Sequence, residues 1–363
     1  MTDGFERYQR QMLLPGIGRA GQERLARGHA IVVGCGALGC VSADLLARAG
    51  VGRLTLIDRD VVERSNLQRQ TLFDDQDAME GVPKAVAAEA RLRRVNPAID
   101  VRGIVADVTS RNAERLLGLG ADESVVLDGT DTFATRYLIN DVCVKLGRTY
   151  VYGGVVGTSG MSATFTPQRG GACLRCVFYE PPAPGSAPTC DTAGVLGASV
   201  AMVASAQACD AIKILSGNEG SLRGELVSLD AWTGARSVID LSRARRQDCP
   251  CCGQRKFEFL DAQGDRGATL CGQNAVQIPM AGWATGWTRE PELGAAAINL
   301  AAIADRLGGV ARVQRTPWLL RAWLSGGAAE AIELTLFADG RAIVKPVRDV
   351  EHARAIVARY VGG

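Results

Sequence analysis

The chain has 363 residues, of which 47% are hydrophobic, 22% charged and 5% aromatic, the composition of a folded protein with room for about two domains. Lys+Arg 41 against Asp+Glu 39 leave a net charge of +2, which gives no support to nucleic-acid binding through phosphate contacts. The two histidines, His29 and His352, stand in no metal-like or triad-like surroundings, so His-based metal sites and Ser-His-Asp hydrolysis are not expected.

In chain order, the charged start MTDGFERYQRQ lacks the apolar core of a secretory signal. From residue 30 to about 240, short β-branched runs alternate with helical stretches. The runs are AIVVG at 30–34, RLTLID at 53–58, DVRGIV at 100–105, SVVLD at 124–128 and TYVYGGV at 149–155, and helices are expected to begin near Ala37, Pro83, Arg111 and Thr135. This rhythm predicts an α/β fold, a Rossmann-like, largely parallel sheet with helices on both faces. A polar loop, GSAPTCDTAG at 185–194, precedes a long helix expected over 195–215. The apolar stretch there, 194–208, is shorter than the ~20 residues of a membrane span. A cytoplasmic protein with no membrane or nucleic-acid partner is expected.

Two strand-like runs in 224–241 flank Thr233-Gly234 and predict a hairpin. After CPCCG at 249–253 the composition changes. Residues 259–294 are glycine-rich without a period and read as a linker. A helix is then expected over 295–307, strands over 318–324 and 331–337, a turn at Asp339-Gly340, the strand RAIVK and a helix over 350–360. The expected plan is thus 1–258, a linker 259–294, and a small α+β domain 295–363 with no motif that states its role.

Gly34-Cys35-Gly36-Ala37-Leu38-Gly39 follows a buried strand and opens a helix. Gly34, Gly36 and Gly39 let the backbone approach a phosphate or ribose, and the helix N-terminus supplies N–H donors. Asp58, at the end of the next strand, would accept hydrogen bonds from ribose hydroxyls. An NAD-dependent oxidoreductase meets this much of the pattern. The residues after Asp58 do not resemble one. Asp60 leads into Asn66, Arg69 and Gln70, and Lys84 opens a helix, so two cations and two amides come soon after the ribose position. Such a group suits a triphosphate whose leaving pyrophosphate must be neutralised.

The chain has eleven cysteines. Cys173-Leu174-Arg175-Cys176 and Cys249-Pro250-Cys251-Cys252 form two C-x-x-C pairs, the spacing of a structural Cys₄ zinc site. Cys251 is the alternative ligand if the register differs, and buried thiols packing as small hydrophobes are the bland alternative. Cys35, Cys40, Cys143 and Cys209 read as core residues, and Cys271 has no partner.

The motifs Arg7-Tyr8-Gln9-Arg10-Gln11, GCGALG, DRDVVERSNLQRQ, Pro83-Lys84 and GTDTFATRYLIND run in unbroken order over residues 5–253. In this the chain resembles the MoeB/ThiF adenylyltransferases, bacterial relatives of the ubiquitin-activating enzymes. The resemblance implies ATP-dependent activation of a small ubiquitin-like sulfur-carrier protein ending in Gly-Gly, whose carboxylate attacks the α-phosphate to give an acyl-adenylate and pyrophosphate. It implies that Asp58 holds the ribose, that Asn66, Arg69 and Lys84 contact phosphates, and that Asp131 holds Mg²⁺. Asp60 and Gln70 belong to the same nucleotide set. Arg10 would reach the phosphates of a neighbouring subunit in a homodimer, and the family places Zn²⁺ at the same two cysteine pairs. The family usually reads Thr-Asp-Asn where this chain has Thr130-Asp131-Thr132.

Cys190 matches the family's thioester- or persulfide-forming cysteine. A loop cysteine before a long helix can have its thiolate stabilised by that helix's N-terminus and could attack the acyl-adenylate or carry sulfur. No rhodanese-like active loop follows Cys271, so sulfur is expected from a separate donor, a desulfurase or a rhodanese. The alternative in another class is a scaffold that binds nucleotide and carrier without transfer, with Thr132 as its main support.

Overall fold

Strands buried on both faces need continuous apolar runs, and the chain supplies them where the alternating pattern put them. The computed structural model describes residues 4–119, 124–183, 190–262, 268–270, 275–279, 288–289, 296–324, 331–338 and 340–362. It divides into two units, Met1–Ala262 and Gln263–Gly363.

The first unit opens with α1 (Gln9–Met12), α2 (Gly18–Arg27), β1 (His29–Val33), α3 (Ala37–Ala49) and β2 (Arg53–Asp58). Next come α4 (Asp75–Glu80), α5 (Lys84–Val95), β3 (Asp100–Val105), α6 (Ala113–Leu117), β4 (Val125–Asp128) and α7 (Phe133–Leu146). The unit continues through β5 (Thr149–Val156), β6 (Ser159–Phe165), α8 (Leu174–Val177), α9 (Cys190–Ala193), α10 (Gly197–Leu215), β7 (Glu225–Asp230) and β8 (Arg236–Asp240). The eight strands form one sheet in the order β3-β2-β1-β4-β5-β6-β7-β8. β1 to β5 pair in parallel, and β6, β7 and β8 are added antiparallel.

β1 and β4 are buried at every residue. Leu25, Val32, Leu46, Leu54, Leu56, Val101 and Val125 share one core with residues of α5 and α10. After β3 the chain returns to the other side of β1 to lay down β4. The C-terminal ends of β1 and β4 therefore flank the switch point of the sheet, where open α/β folds bind ligands. Helix α10 is long and apolar enough to cross a membrane by length and composition. Its Ser199, Val200, Val203, Ala204, Gln207, Ala208 and Ala211 are buried, and it packs on α3, β5 and β6, so it serves as a core helix. Cys209, expected in the core, is exposed on this helix.

The first unit extends past the expected boundary at 258, because Asp141 on α7 accepts backbone N–H groups of Phe259 (2.9 Å) and Leu260 (3.4 Å).

The second unit comprises β9 (Ala268–Leu270), β10 (Ala275–Pro279), β11 (Thr288–Arg289), β12 (Ala296–Ala297), α11 (Leu300–Leu307), β13 (Ala311–Arg315), β14 (Leu319–Leu324), β15 (Ile332–Phe337), β16 (Arg341–Lys345) and α12 (Val350–Val361). Six of these strands form an antiparallel sheet, β13-β14-β15-β16-β10-β9. Leu300, Ile303, Leu307, Ile356 and Val357 of the two helices share a core with Leu320, Leu334, Leu336 and Val344. The expected linker 259–294 therefore holds part of this sheet. Val276 and Ile278 of β10 are buried beside β16, in an alternation too short to stand out among glycines. Strand β13 was also not expected, since ARVQR is a half-exposed edge. Residues 184–189, Cys271, Asp339 and Gly363 lie outside the described residues.

Candidate active site

The glycine loop joins β1 to α3 at the switch point. Gly34 has φ 90°, and a Cβ there would stand 2.7 Å from the Gly129 backbone that follows β4. A Cβ on Gly39 would meet the Gly34 carbonyl oxygen at 1.8 Å. Gly34 lets the β1 and β4 loops touch, and Gly39 lets the first turn of α3 close on its own loop. Gly36 is different: its nearest neighbours would be 3.8 and 3.9 Å away, so it leaves room, and the unpaired N–H groups of the α3 N-terminus lie beside it.

Asp58 at the end of β2 is 8% exposed. One carboxylate oxygen accepts the Cys35 N–H at 2.6 Å and the other the Asp60 N–H at 2.6 Å. Burial pushes its pKa up to about 6, and the Lys84 charge pulls against that rise. Lys84, first residue of α5, is 7% exposed and its ammonium lies 3.3 Å from Asp60 Oδ2. Burial works against this charge, but Asp60, Asp58 and Asp131 outweigh it and hold the pKa above the usual lysine range. Asp60 also lies 3.7 Å from Arg59.

Asn66 Oδ1 accepts the Glu63 N–H at 3.1 Å, which closes the short turn Arg64–Asn66. Arg69 donates to the Ser65 carbonyl at 2.9 Å. Gln70 is buried, its Oε1 has no hydrogen-bond partner, and its Nε2 is the side-chain atom nearest a Cβ on Gly36. Asp131 is exposed in the loop after β4. Thr132 Oγ1 bonds to Thr135 Oγ1 at 2.7 Å across the first turn of α7.

The structure thus brings Gly34, Gly36, Gly39, Asp58, Asp60, Gln70, Lys84 and Asp131 to one end of the sheet. It does not bring Arg10 there. Gln11 donates to the carbonyl of Ala49, at the far end of α3 from the glycine loop (2.9 Å), and Arg7 donates to that of Val95. The Asn96 amide donates to Tyr8 Oη at 2.8 Å. Those contacts anchor the motif and leave Arg10 exposed, one helix length, ~20 Å, from the loop.

Cys190 opens α9, not the long helix: α10 starts at Gly197. The intervening backbone lies against the end of β5, with Gly157 N–H donating to Gly194 O and Leu196 N–H to Gly157 O, both at 2.9 Å. A Cβ on Gly197 would stand 3.1 Å from the Gln68 carbonyl oxygen, so α10 begins beside the Gln68–Arg69 turn.

Sulfur–sulfur distances are 3.9 Å for Cys173–Cys176, 3.7 Å for Cys173–Cys249 and 3.4 Å for Cys176–Cys252. All four sulfurs lie within 4.8 Å of one another. Tetrahedral Zn–S bonds of about 2.3 Å require edges of about 3.8 Å, so the cluster fits that ion. Cys251 stands outside the four, accepting from Asn140 Nδ2 at 3.3 Å. The structure therefore selects Cys252. Gly253 and Gln254 donate N–H groups to the Cys249 carbonyl at 3.0 and 2.8 Å, which turns the chain sharply after the second pair.

Three residues near Asp131 are given no role by the sequence: Asp128, Tyr150 and Arg136, the last although it lies within the GTDTFATRYLIND motif. They sit inside strands and a helix, where only burial marks them.

The sequence profile of the ThiF family matches residues 8–251. The chain belongs to the ThiF family. It is 39% identical over 357 residues to the sulfur carrier protein ThiS adenylyltransferase of Bacillus subtilis, covering 98% of this chain and 99% of that one. It is 41% identical over 253 residues to a sulfur carrier protein adenylyltransferase of Thermus thermophilus, 69% of this chain and 91% of the relative. Among solved structures, E. coli MccB with MccA-N7isoASN superposes at TM-score 0.59 and 22% identity over 69% of this chain and 75% of that one. That likeness supports the ThiF-family fold.

Proposed function

We propose that this ThiF-family chain is an ATP-dependent adenylyltransferase that activates the Gly-Gly carboxylate of a small ubiquitin-like sulfur carrier. The observation that carries the reading is the meeting of Asp58, Lys84 and Asp131 at the glycine loop, in a chain alike over nearly its whole length to an enzyme named for ThiS. ThiS is the first carrier to try.

In this reading Asp58 accepts the ribose hydroxyls and Gly36 gives the nucleotide its room. Lys84, Asn66, Arg69 and Gln70 take the phosphates, and Lys84 exchanges Asp60 for them. The carrier carboxylate attacks the α-phosphate, the bond to pyrophosphate breaks, and the cations stabilise the leaving charge. Asp131 is the residue that would hold Mg²⁺, which would neutralise part of the same charge. Arg10, distant from its own site, serves the site of a second copy in a homodimer. The Cys190 thiolate would then attack the acyl-adenylate carbonyl, releasing AMP to leave a thioester, or accept the sulfane sulfur of a separate donor's persulfide, whose thiolate leaves. Zn²⁺ in the four-cysteine cluster is structural, and the free thiols described fit a reducing, cytoplasmic setting.

Carrier-dependent exchange of pyrophosphate into ATP, tried with ThiS and then with other carriers, tests the activity. No exchange with any Gly-Gly carrier would leave nucleotide and carrier binding without transfer. Metal content is a separate measurement: about one zinc per chain is expected, and Cys173→Ser should lose it together with thermal stability. Chelator-free protein without metal would reduce the cluster to packing.

A further inference from the structure

Asp131 makes no hydrogen bond or ion pair among the described residues, although it lies in a loop that must hold it still to be of use. Its neighbour Thr130 is held on every polar atom. The Thr130 N–H and hydroxyl donate to Asp128 Oδ1 at 2.8 and 2.7 Å, and the Thr130 carbonyl accepts from Arg136 Nη2 at 2.8 Å. On the other side of the loop, Gly129 N–H donates to Val33 O at 2.7 Å.

The two charged groups that do this are almost out of water, with Asp128 1% and Arg136 8% exposed. Tyr150 donates its hydroxyl to Asp128 Oδ2 at 2.6 Å. The Arg136 guanidinium lies 5.4 Å from the ring centres of both Phe133 and Tyr152. A Cβ on Gly154 would meet Tyr152 Oη at 3.0 Å and both terminal guanidinium nitrogens at 3.5 Å, an ordinary contact, so β5 packs directly over the group. The pair is not an optimised ion pair: Arg136 Nε stands 3.6 Å from Asp128 Oδ2 and has no hydrogen-bond partner. Desolvating two charges for such a contact stabilises poorly. What the arrangement does achieve is to tie the Thr130 carbonyl to β5, because Arg136 Nη2 also donates to the Gly153 carbonyl at 3.4 Å.

We propose that Arg136, paired with an Asp128 that Tyr150 holds in place, is a positioning residue that fixes the Gly129–Thr132 loop and so sets where Asp131 holds the cation of the nucleotide. The inference rests on the adenylyltransferase reading of Asp131. It separates from a merely structural role because loosening the loop weakens cation binding specifically, and excess cation restores the reaction.

The test uses the purified full chain with ATP, ThiS and a Mg²⁺ titration of pyrophosphate exchange in Arg136→Lys, Arg136→Met, Tyr150→Phe and Asp131→Asn. Mn²⁺ binding with a non-hydrolysable ATP analogue, read by electron paramagnetic resonance, gives a readout independent of turnover. Losing one hydrogen bond to a charged group predicts about a 10-fold higher Mg²⁺ requirement in Tyr150→Phe and Arg136→Lys, a larger rise in Arg136→Met, and near wild-type maximal rates at saturating Mg²⁺. Mn²⁺ affinity should fall in parallel. If Arg136→Met does not fold, Tyr150→Phe, which removes a single oxygen, still decides. Unchanged Mg²⁺ and Mn²⁺ dependence in folded variants would overturn the proposal, as would lower melting temperatures with lost exchange that Mg²⁺ does not restore. Asp131→Asn with wild-type exchange would instead overturn the reading of the site itself.

Discussion

Among the described residues, the N-terminal unit buries seven Asp, Lys and Arg side chains to 8% exposure or less: Asp141, Arg148 and Arg175, and also Asp58, Lys84, Asp128 and Arg136, which gather at the end of its parallel strands. The described core of the C-terminal unit is aliphatic, built from Leu320, Leu334, Leu336, Val344, Ile303 and Val357. The buried charge among its described residues is Arg341, which lies over the Phe337 ring. The helices of that unit start on local caps, Asn299 for α11 and Asp349 for α12. Burying a charge costs free energy that packing alone has no use for. The two units therefore differ in kind. One pays for a site; the other is stable for ordinary reasons, and nothing in the polar groups of its described residues states a chemistry.

The sharpest way to break this contrast is at Lys84. Lys84→Met removes the cation that faces Asp60, Asp58 and Asp131 and should lower carrier-dependent pyrophosphate exchange by about 100-fold or more, the scale of losing one charge-stabilising group in a desolvated site. A folded variant, confirmed by circular dichroism, that exchanges at the wild-type rate would make the buried cluster structural after all, and the two units alike.

How much of the molecule is legible in its sequence divides the same way. β1, β2 and β4 stand out because strands covered on both faces are continuous apolar runs, and the glycine loop and Asp58 because their offsets are set by the ligand they would hold. The zinc ligands are legible as spacing, but the choice between Cys251 and Cys252 is not, since it depends on how the backbone turns at Gly253. The roles of Asp128 and Arg136 are not legible, although Arg136 lies in a quoted motif, because a charged residue in a helix or at a strand end usually faces water, and only the fold shows that these do not. β13 and β10 fail for the opposite reason: ARVQR is too polar and 275–279 too short among glycines to declare a strand.

A smaller effect is expected from pH. Burial lifts the Asp58 pKa to about 6, above the ordinary carboxylate value near 4. Between about 4 and 6 the folded chain then holds a proton that the unfolded chain has lost, so this group makes stability fall as pH rises across that window. Nucleotide binding has the opposite sign, because only the ionised carboxylate can accept both ribose hydroxyls. The thermal shift given by ATP should shrink as pH falls through about 6, with ATP affinity several-fold weaker at pH 5.5 than at pH 8, of the order of one hydrogen bond. Calorimetry at the two pH values, with Asp58→Asn for comparison, checks it. Equal pH dependence in wild type and variant would mean that Asp58 does not carry the titration.

The smallest effect is expected where the contrast predicts no site. Asp349 Oδ1 accepts the His352 N–H at 2.8 Å and caps α12. Asp349→Ala should cost about 1 kcal/mol, the usual worth of an N-terminal cap. The cost should appear in the C-terminal unit alone, and four of the five tryptophans, Trp283, Trp287, Trp318 and Trp323, lie in that unit. Tryptophan fluorescence during urea unfolding therefore reports it, while zinc release reports the N-terminal unit. An earlier fluorescence midpoint with unchanged zinc release and unchanged pyrophosphate exchange is the expected result. A fall in exchange from so slight a change, made far in sequence from every residue of the nucleotide site, would show that the C-terminal unit takes part in the reaction, and the division between a charged working unit and an aliphatic companion would have to be given up.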